Sequence, residues 1–215
     1  MLVSSAPSTL GSTLPWIRGV LAALLVALSG KLASPEAIIL ALTAGFTFFD
    51  LGRREANESA NGGDWTGWGM QLGFLGILAA GAFQNRAPMD HLRWPGLVEI
   101  SGALLITAGI VLRQWVSRVM GAHFTVKLLV EDEHRLVQDG PFVWVRHPSY
   151  ASLLLIAVGT ALAVRSPLAL AVALLVWLPL TLLRIANEEA VLEAKFGQAY
   201  TDYRANSWRV LPGIF

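Results

Sequence analysis

The sequence predicts an all-α protein, a polytopic membrane helical bundle of about six crossings that includes a C-terminal helical hairpin, with a loop and a last helix on the cytoplasmic side. Three observations predict it. Of 215 residues, 54% are hydrophobic and only 14% charged, where a soluble chain averages roughly 25% charged. The mean hydropathy is +0.56. The apolar residues are also gathered into long runs rather than spread evenly, as a bilayer-spanning chain distributes them. Lys and Arg number 16 and Asp and Glu 15, for a net charge of +1, so there is no bulk basic field for nucleic acid. The absence of cysteine excludes disulfides, thiolate metal sites, a cysteine nucleophile and prenylation of this chain's own C-terminus.

A hydrocarbon core of about 30 Å needs around 20 helical residues. The first such stretch runs from about Trp16 to Gly30 and the second from about Glu36 to Leu51, with Lys31 to Pro35 as the turn between them. No positive charge precedes the first stretch within fifteen residues, so a cleavable secretory signal is not expected. The polar segment Glu55 to Asp64 reads as a solvated connection. A third span covers about Thr66 to Phe83, where Gly76 and Ala80, four apart, suit close helix packing. The fourth starts near Trp94 and continues to Met120, longer than a bilayer needs. Its Glu99 and Arg113 lie within a few residues of a proposed interface, which favours structural roles for both. The fifth and sixth, Tyr150 to Val164 and Pro167 to Leu183, are split by Arg165-Ser166-Pro167 and read as a hairpin. The expected division is therefore residues 1–120, holding four helices, and residues 121–215.

Orientation follows from Lys and Arg in the connections. With the N-terminus inside, the cytoplasmic face takes Arg53, Arg54, Arg118, Lys127, Arg135, Arg146, Lys195, Arg204 and Arg209, and the other face only Lys31, Arg86, Arg93 and Arg165. Both termini are expected in the cytoplasm. So are two stretches that hold most of the chemistry-capable side chains, Gly121 to Ser149 and Arg184 to the C-terminus.

No glycine-rich turn follows a strand, no phosphate loop or HExxH pair is present, and the histidines at 91, 123, 134 and 147 are not at ligand spacing, so no metal site is expected. The densest unusual stretch is His134-Arg-Leu136-Val137, then Gly140-Pro141-Phe142, then Arg146-His147-Pro148-Ser149-Tyr150. Gly-Pro and His-Pro fix backbone turns, so this loop should be rigid. Its free amides and carbonyls beside Phe142 and Tyr150 could hold a flat polar ligand. They equally suit a capped helix start, with Pro148 or Ser149 opening the fifth span and Arg146 anchoring it to head groups. A second constellation is Arg184-x-x-x-Glu188-Glu189, followed by Phe196-Gly197, Tyr200 and Tyr203. Arg184 and Glu188 share one helical face. They read either as an intrahelical pair worth roughly 0.3–0.5 kcal/mol, or as a bidentate carboxylate receiver beside an acceptor for a cationic or hydroxyl-bearing ligand.

Taken together, the two constellations resemble the isoprenylcysteine carboxyl methyltransferase family, integral membrane methyltransferases that use S-adenosylmethionine. The matching text is H-x-L-V at His134 to Val137, G-P-F at Gly140 to Phe142, R-H-P-S-Y at Arg146 to Tyr150, R-x-x-x-E-E at Arg184 to Glu189, F-G at Phe196 and Gly197, then Tyr200, Tyr203 and L-P at Leu211 and Pro212. The similarity covers roughly residues 120–213. It implies that His134, Leu136, Val137, Phe142, His147, Pro148, Ser149, Tyr150 and Glu188 surround S-adenosylmethionine and that Arg184 faces a lipophilic methyl acceptor. Residues 121–215 would then be the catalytic part, acting on a carboxylate such as a prenylcysteine-type C-terminus. Three departures stand out. Phe142 replaces a usual Tyr, Ser152 a common glycine, and Arg165-Ser166 the Gly-Asn or Cys-Asn usual at the hairpin turn. Because RHPxY is shared with membrane sterol reductases, an NADPH-dependent reduction of a sterol-type double bond is the alternative reaction, and a non-catalytic membrane scaffold the third reading.

Overall fold

The computed structural model describes residues 39, 42–43, 65–84, 95–120 and 136–213. The first two expected spans, apart from three helical residues, and the Glu55–Asp64 connection lie outside the described residues, as does His134. The rest is helical. Helix α1 runs Trp65–Gln84 and α2 Pro95–Met120. A 3₁₀ turn, Gly140–Val143, leads to α3, Pro148–Ala163. Then come α4, Pro167–Val172, a π turn over Ala173–Trp177, α5, Leu178–Phe196, and α6, Gln198–Ala205. Among the described residues, extended pairing is confined to one isolated parallel bridge between Val145 and Trp208.

Prolines set the helix starts. Pro148 and Pro167 each occupy the first turn of their helix, where a missing N–H costs nothing and φ is already helical. The hairpin turn is three residues long. Arg165 takes a left-handed φ of 50°, and the Ser166 hydroxyl accepts from Ala169 N at 3.0 Å to cap α4. Arg165 Nε also lies 2.9 Å from Glu99 Oε1, tying the turn to the N-terminal part of α2. The π turn has a local cause. Pro179 has no N–H to give to the carbonyl four residues back and its ring would strike that carbonyl, and a wider turn relieves the clash.

The helix through Pro167 does not stop at the expected end of the sixth span, Leu183, but runs unbroken to Phe196. Nothing between Leu183 and Phe196 breaks it, and Gly197, at φ 53°, ends it. Arg184, Glu188 and Glu189 are therefore carried on the same rigid rod as the hairpin. The two longest apolar helical segments, Gly96–Met120 and Pro167–Phe196, are each long and apolar enough to cross a membrane. On α2 the residues Leu97, Ile100, Leu104 and Val111 form one exposed aliphatic face. These are the features of a membrane protein.

Helices α2 and α3 meet through glycines. A Cβ on Gly102 would fall 2.4 Å from Ala163 N, and one on Gly159 would fall 2.8 Å from both Gly102 O and Ile106 N. Two turns further along, a Cβ on Gly109 would be 2.7 Å from Ser152 O. This is backbone-to-backbone packing that no larger residue permits. Ser152 itself is fully buried and donates to Ser149 O at 2.6 Å, so the departure from glycine there is absorbed inside α3. Gly76 and Ala80 make a looser contact, with the Gly76 Cβ position 3.4 Å from Val172. On α5 and the π turn before it, Trp177, Thr181, Ile185 and Glu189 are all buried. Four-residue spacing puts them on one stripe, and its last member is a carboxylate.

Candidate active site

That carboxylate is the centre of a cluster built from three parts of the chain. Glu189 Oε1 lies 3.2 Å from Arg146 Nε and 3.2 Å from His147 Nε2, and Oε2 lies 2.6 Å from Arg209 Nη2. Arg146 also donates to the carbonyls of Arg204, at 3.0 Å, and of Ser207. The backbone completes the joint. Arg146 N donates to Trp208 O at 2.7 Å, His147 N to Arg209 O at 3.1 Å and Trp208 N to Trp144 O at 2.8 Å. Tyr203 Oη donates to Phe142 O at 2.7 Å. A C-terminal strap, Ser207–Val210, is thereby stitched along the loop that precedes α3, with the α5 carboxylate underneath. Arg146 is thus committed to protein partners rather than to head groups, because the loop turns its side chain inward towards Glu189.

A second chain of hydrogen bonds joins the two sequence constellations. Arg184 Nε donates to Tyr150 Oη at 2.9 Å, and Tyr150 Oη donates to Glu188 Oε2 at 2.9 Å. The arginine and glutamate on one face of α5 are thus bridged by a phenol from α3. From the other side Arg113, 1% exposed, donates to Ser149 O at 3.1 Å and to Ser149 Oγ at 2.6 Å. An arginine of α2 therefore fixes the start of α3.

The structure gathers most of the expected site. Phe142, His147, Pro148 and Tyr150 are buried, Ser149, Arg184 and Glu188 half-buried, and Leu136 and Val137 half-buried where the described part of the loop begins. A groove of about 310 Å³ opens between loop and α6, lined by Gln138, Val143, Ala199, Asp202, Tyr203 and Asn206. None of the expected site residues lines it. Four partners were missed by sequence reasoning: Glu189, Arg209, Arg113 in its contact with Ser149, and Tyr203 in its bond to the loop. The buried stripe Trp177, Thr181, Ile185 would have found Glu189.

Two phenols of α6 are perturbed. Burial pushes the Tyr203 hydroxyl up to about 12 from an ordinary 10.0, against the opposing charge of Arg146. Burial, and then the negative charge of Glu189, push Tyr200 up as well. The neutral Tyr203 phenol contributes stability in full below pH 10, and this is lost as pH rises from 10 to 12. Ionisation of Tyr203 in that window, followed by near-ultraviolet absorbance, is expected to coincide with increased proteolysis of the strap. Tyr203→Phe should separate the two events. Tyr200 Oη, buried, has no hydrogen-bond partner among the described residues.

Helices of membrane length, joined at one end by a loop and a strap that share a polar cluster, define a helical membrane protein with this cluster at the ends of its helices. Residues 102–194 match the model of the isoprenylcysteine carboxyl methyltransferase (ICMT) family. The chain is 36% identical over 118 residues to protein-S-isoprenylcysteine O-methyltransferase B of Arabidopsis thaliana, covering 51% of this chain and 59% of that protein. It is 32% identical over 134 residues to the protein-S-isoprenylcysteine O-methyltransferase of Mus musculus, covering 59% of this chain and 47% of that protein. A solved structure of the eukaryotic intramembrane Ras methyltransferase ICMT is matched over 96% of this chain and 87% of that one, with a TM-score of 0.48 and 20% identity. The chain spans about three fifths of the length of the plant relatives it matches, 59% and 62%. The resemblance to the ICMT family is borne out over residues 102–194, which hold the start of α3, Arg184 and both glutamates.

Proposed function

We propose that the chain transfers a methyl group from S-adenosylmethionine to the carboxylate of a lipophilic acceptor of prenylcysteine type. The observation that carries this reading is the Arg184–Tyr150–Glu188 chain, which joins the R-H-P-S-Y loop to the R-x-x-x-E helix at hydrogen-bond distance. The family match over the same residues and the names of the relatives support it. The reductase and scaffold readings gain no such support.

The residues present suit the cofactor. Glu188 offers carboxylate oxygens to amino or hydroxyl groups, and the orphaned Tyr200 phenol offers a donor for a carboxylate or ribose oxygen. His147, Pro148, Ser149 and Tyr150, with Phe142, Leu136, Val137 and His134, would form the surrounding wall. When bound, the sulfonium supplies an electrophilic methyl. The acceptor carboxylate that Arg184 orients would take this methyl through a new C–O bond, with the C–S electron pair left on sulfur. Two opposite charges become two neutral products, so a dry site favours the transfer provided binding offsets the desolvation of the ions. A carboxylate is already ionised near neutral pH, so no strong base is needed. The protein's work is alignment. Arg184, held by its Nε bond to Tyr150, orients the acceptor anion. Residues 121–215 form the catalytic part, with α2 packed against it. Both termini and the site face the cytoplasm, where the polar cofactor is available, and the acceptor arrives through the bilayer between helices.

The test is transfer of labelled methyl from S-adenosylmethionine to a prenylated cysteine with a free carboxylate, and to its methyl ester, by detergent-purified protein. Base-labile label on the acid alone is the expected result. Label on both would refute a carboxylate acceptor. Glu188→Ala is expected to weaken cofactor binding about 10- to 100-fold, the loss of a charged hydrogen bond. Arg184→Ala should leave that binding nearly intact and lower turnover by a similar factor. Unchanged turnover in Arg184→Ala would remove the arginine from its assigned role.

A further inference from the structure

Three tryptophans lie together at one end of the molecule and are left out of the chemistry above. Trp115 is 41% exposed, Trp144 56% and Trp208 48%. Trp115 and Trp144 meet edge to face with ring centroids 6.1 Å apart, and the Trp208 amide donates to the Trp144 carbonyl. They come from three separate segments, the last turns of α2, the loop and the C-terminal strap. An exposed Val143, 51% exposed, adjoins Trp144.

The order of residues along α2 gives the depth. Its exposed face is aliphatic from Leu97 to Val111, reaches Trp115 and then Arg118 in the last turn. Aliphatic, then indole, then basic is the profile of a bilayer from hydrocarbon to head group, where an amphipathic indole is most favourable. Neither a soluble protein partner nor a second copy would require that order. We infer that Trp115, Trp144 and Trp208 form an interfacial anchor in the head-group layer of the bilayer, which holds the outer face of the loop and the strap at that depth. The groups around Tyr150 and Glu188 then sit just beneath the membrane surface, and a lipophilic acceptor reaches them without leaving its leaflet. The location of the anchor stands on exposure and ring geometry and does not depend on which reaction is catalysed.

The chain has no cysteine, so single-site labelling needs no background removal. Trp144→Cys and Val143→Cys, each carrying an environment-sensitive fluorophore, are reconstituted in phosphatidylcholine vesicles. Quenching is compared between phospholipids with a nitroxide near the head group, phospholipids with a nitroxide deep in the acyl chain, and aqueous iodide. Val111→Cys, on the exposed aliphatic face of α2, is the deep reference and Ala205→Cys, on exposed α6, the aqueous one. The expected result is greatest quenching of both test sites by the shallow nitroxide. The proposal is overturned if both follow Ala205→Cys and are quenched by iodide alone. It is equally overturned if they resist all three quenchers, which would mean that a second copy covers the patch. Val143→Cys keeps all three indoles, so it decides the matter if Trp144→Cys fails to fold. No methyl transfer enters the readout, and failure here leaves the methyltransferase reading untouched.

Discussion

Glu189→Ala is expected to release the C-terminal strap from the loop and to cost about 3–5 kcal/mol, the usual penalty for removing one partner of a buried ion pair. The size follows from what stays behind. Arg146 and Glu189 side chains are each 10% exposed and His147 only 4%, with Arg209 at 24%, so the substitution leaves positive groups and donors that water reaches poorly. Nor can the backbone pairing survive unaided. The Arg146–Trp208 and His147–Arg209 bonds form a short ladder, and a pair of extended segments this short is marginal without side-chain support. Glu193→Ala is the matched control. Its partner Arg204 is about half exposed, as is Glu193 itself, and such a pair is worth about 0–1 kcal/mol. Thermal unfolding in detergent and limited proteolysis near Ser207 read both variants. Equal stability of the two would show that Glu189 is not the node of this cluster. Glu189→Gln keeps the shape without the charge and should fall between them.

The same pair of glutamates shows how far the sequence could be read. The R-x-x-x-E-E text marks the right turn of α5, and four-residue spacing pairs its first glutamate, Glu188, with Arg184. The spacing was correct, but Tyr150 from α3 stands between them, and no pattern within one helix can announce a side chain from another. Glu189 was legible by a different route. The stripe Trp177, Thr181, Ile185 continues onto it, so a count of the buried face would have placed a carboxylate on the protein interior and demanded cations for it. Those cations were less legible. A basic residue beside a helix start commonly anchors to head groups, whereas the inward turn of the Arg146 side chain depends on carbonyls 58 and 61 residues further on, in α6 and in the strap. The starts of α3 and α4, by contrast, follow from Pro148 and Pro167, and the hairpin from Arg165-Ser166-Pro167. The π turn before Pro179 was not anticipated, since the apolar run continues through it and only the structure shows that the helix widens there rather than breaking.

Glycine packing was misjudged in position rather than in kind. Gly76 and Ala80 were singled out, whereas the closest approach is made by Gly102, Gly109 and Gly159, since seven-residue spacing on α2 matches the facing positions of α3. Gly159→Ala is therefore expected to be among the most disruptive single methyl additions in the chain. Its Cβ would stand 2.8 Å from Gly102 O and Ile106 N, both backbone atoms, so no side chain can swing aside and the helices must separate. Overpacking of this kind costs about 1–3 kcal/mol. Gly96→Ala, where nothing lies within 4 Å, is the control and should be neutral or slightly stabilising by up to about 1 kcal/mol. The pair Gly102→Ala and Gly159→Ala should cost less than the sum of its parts, because helices already parted by the first methyl have room for the second. Stability is only half of the expectation. Arg113 lies one turn beyond Gly109 on the same face of α2 and holds both the carbonyl and the hydroxyl of Ser149, so parting α2 from α3 withdraws that hold from the residue beside Tyr150. Gly159→Ala should then weaken S-adenosylmethionine binding, although it lies more than two helical turns from Ser149. An affinity unchanged in a destabilised Gly159→Ala would show that Ser149 keeps its place without Arg113.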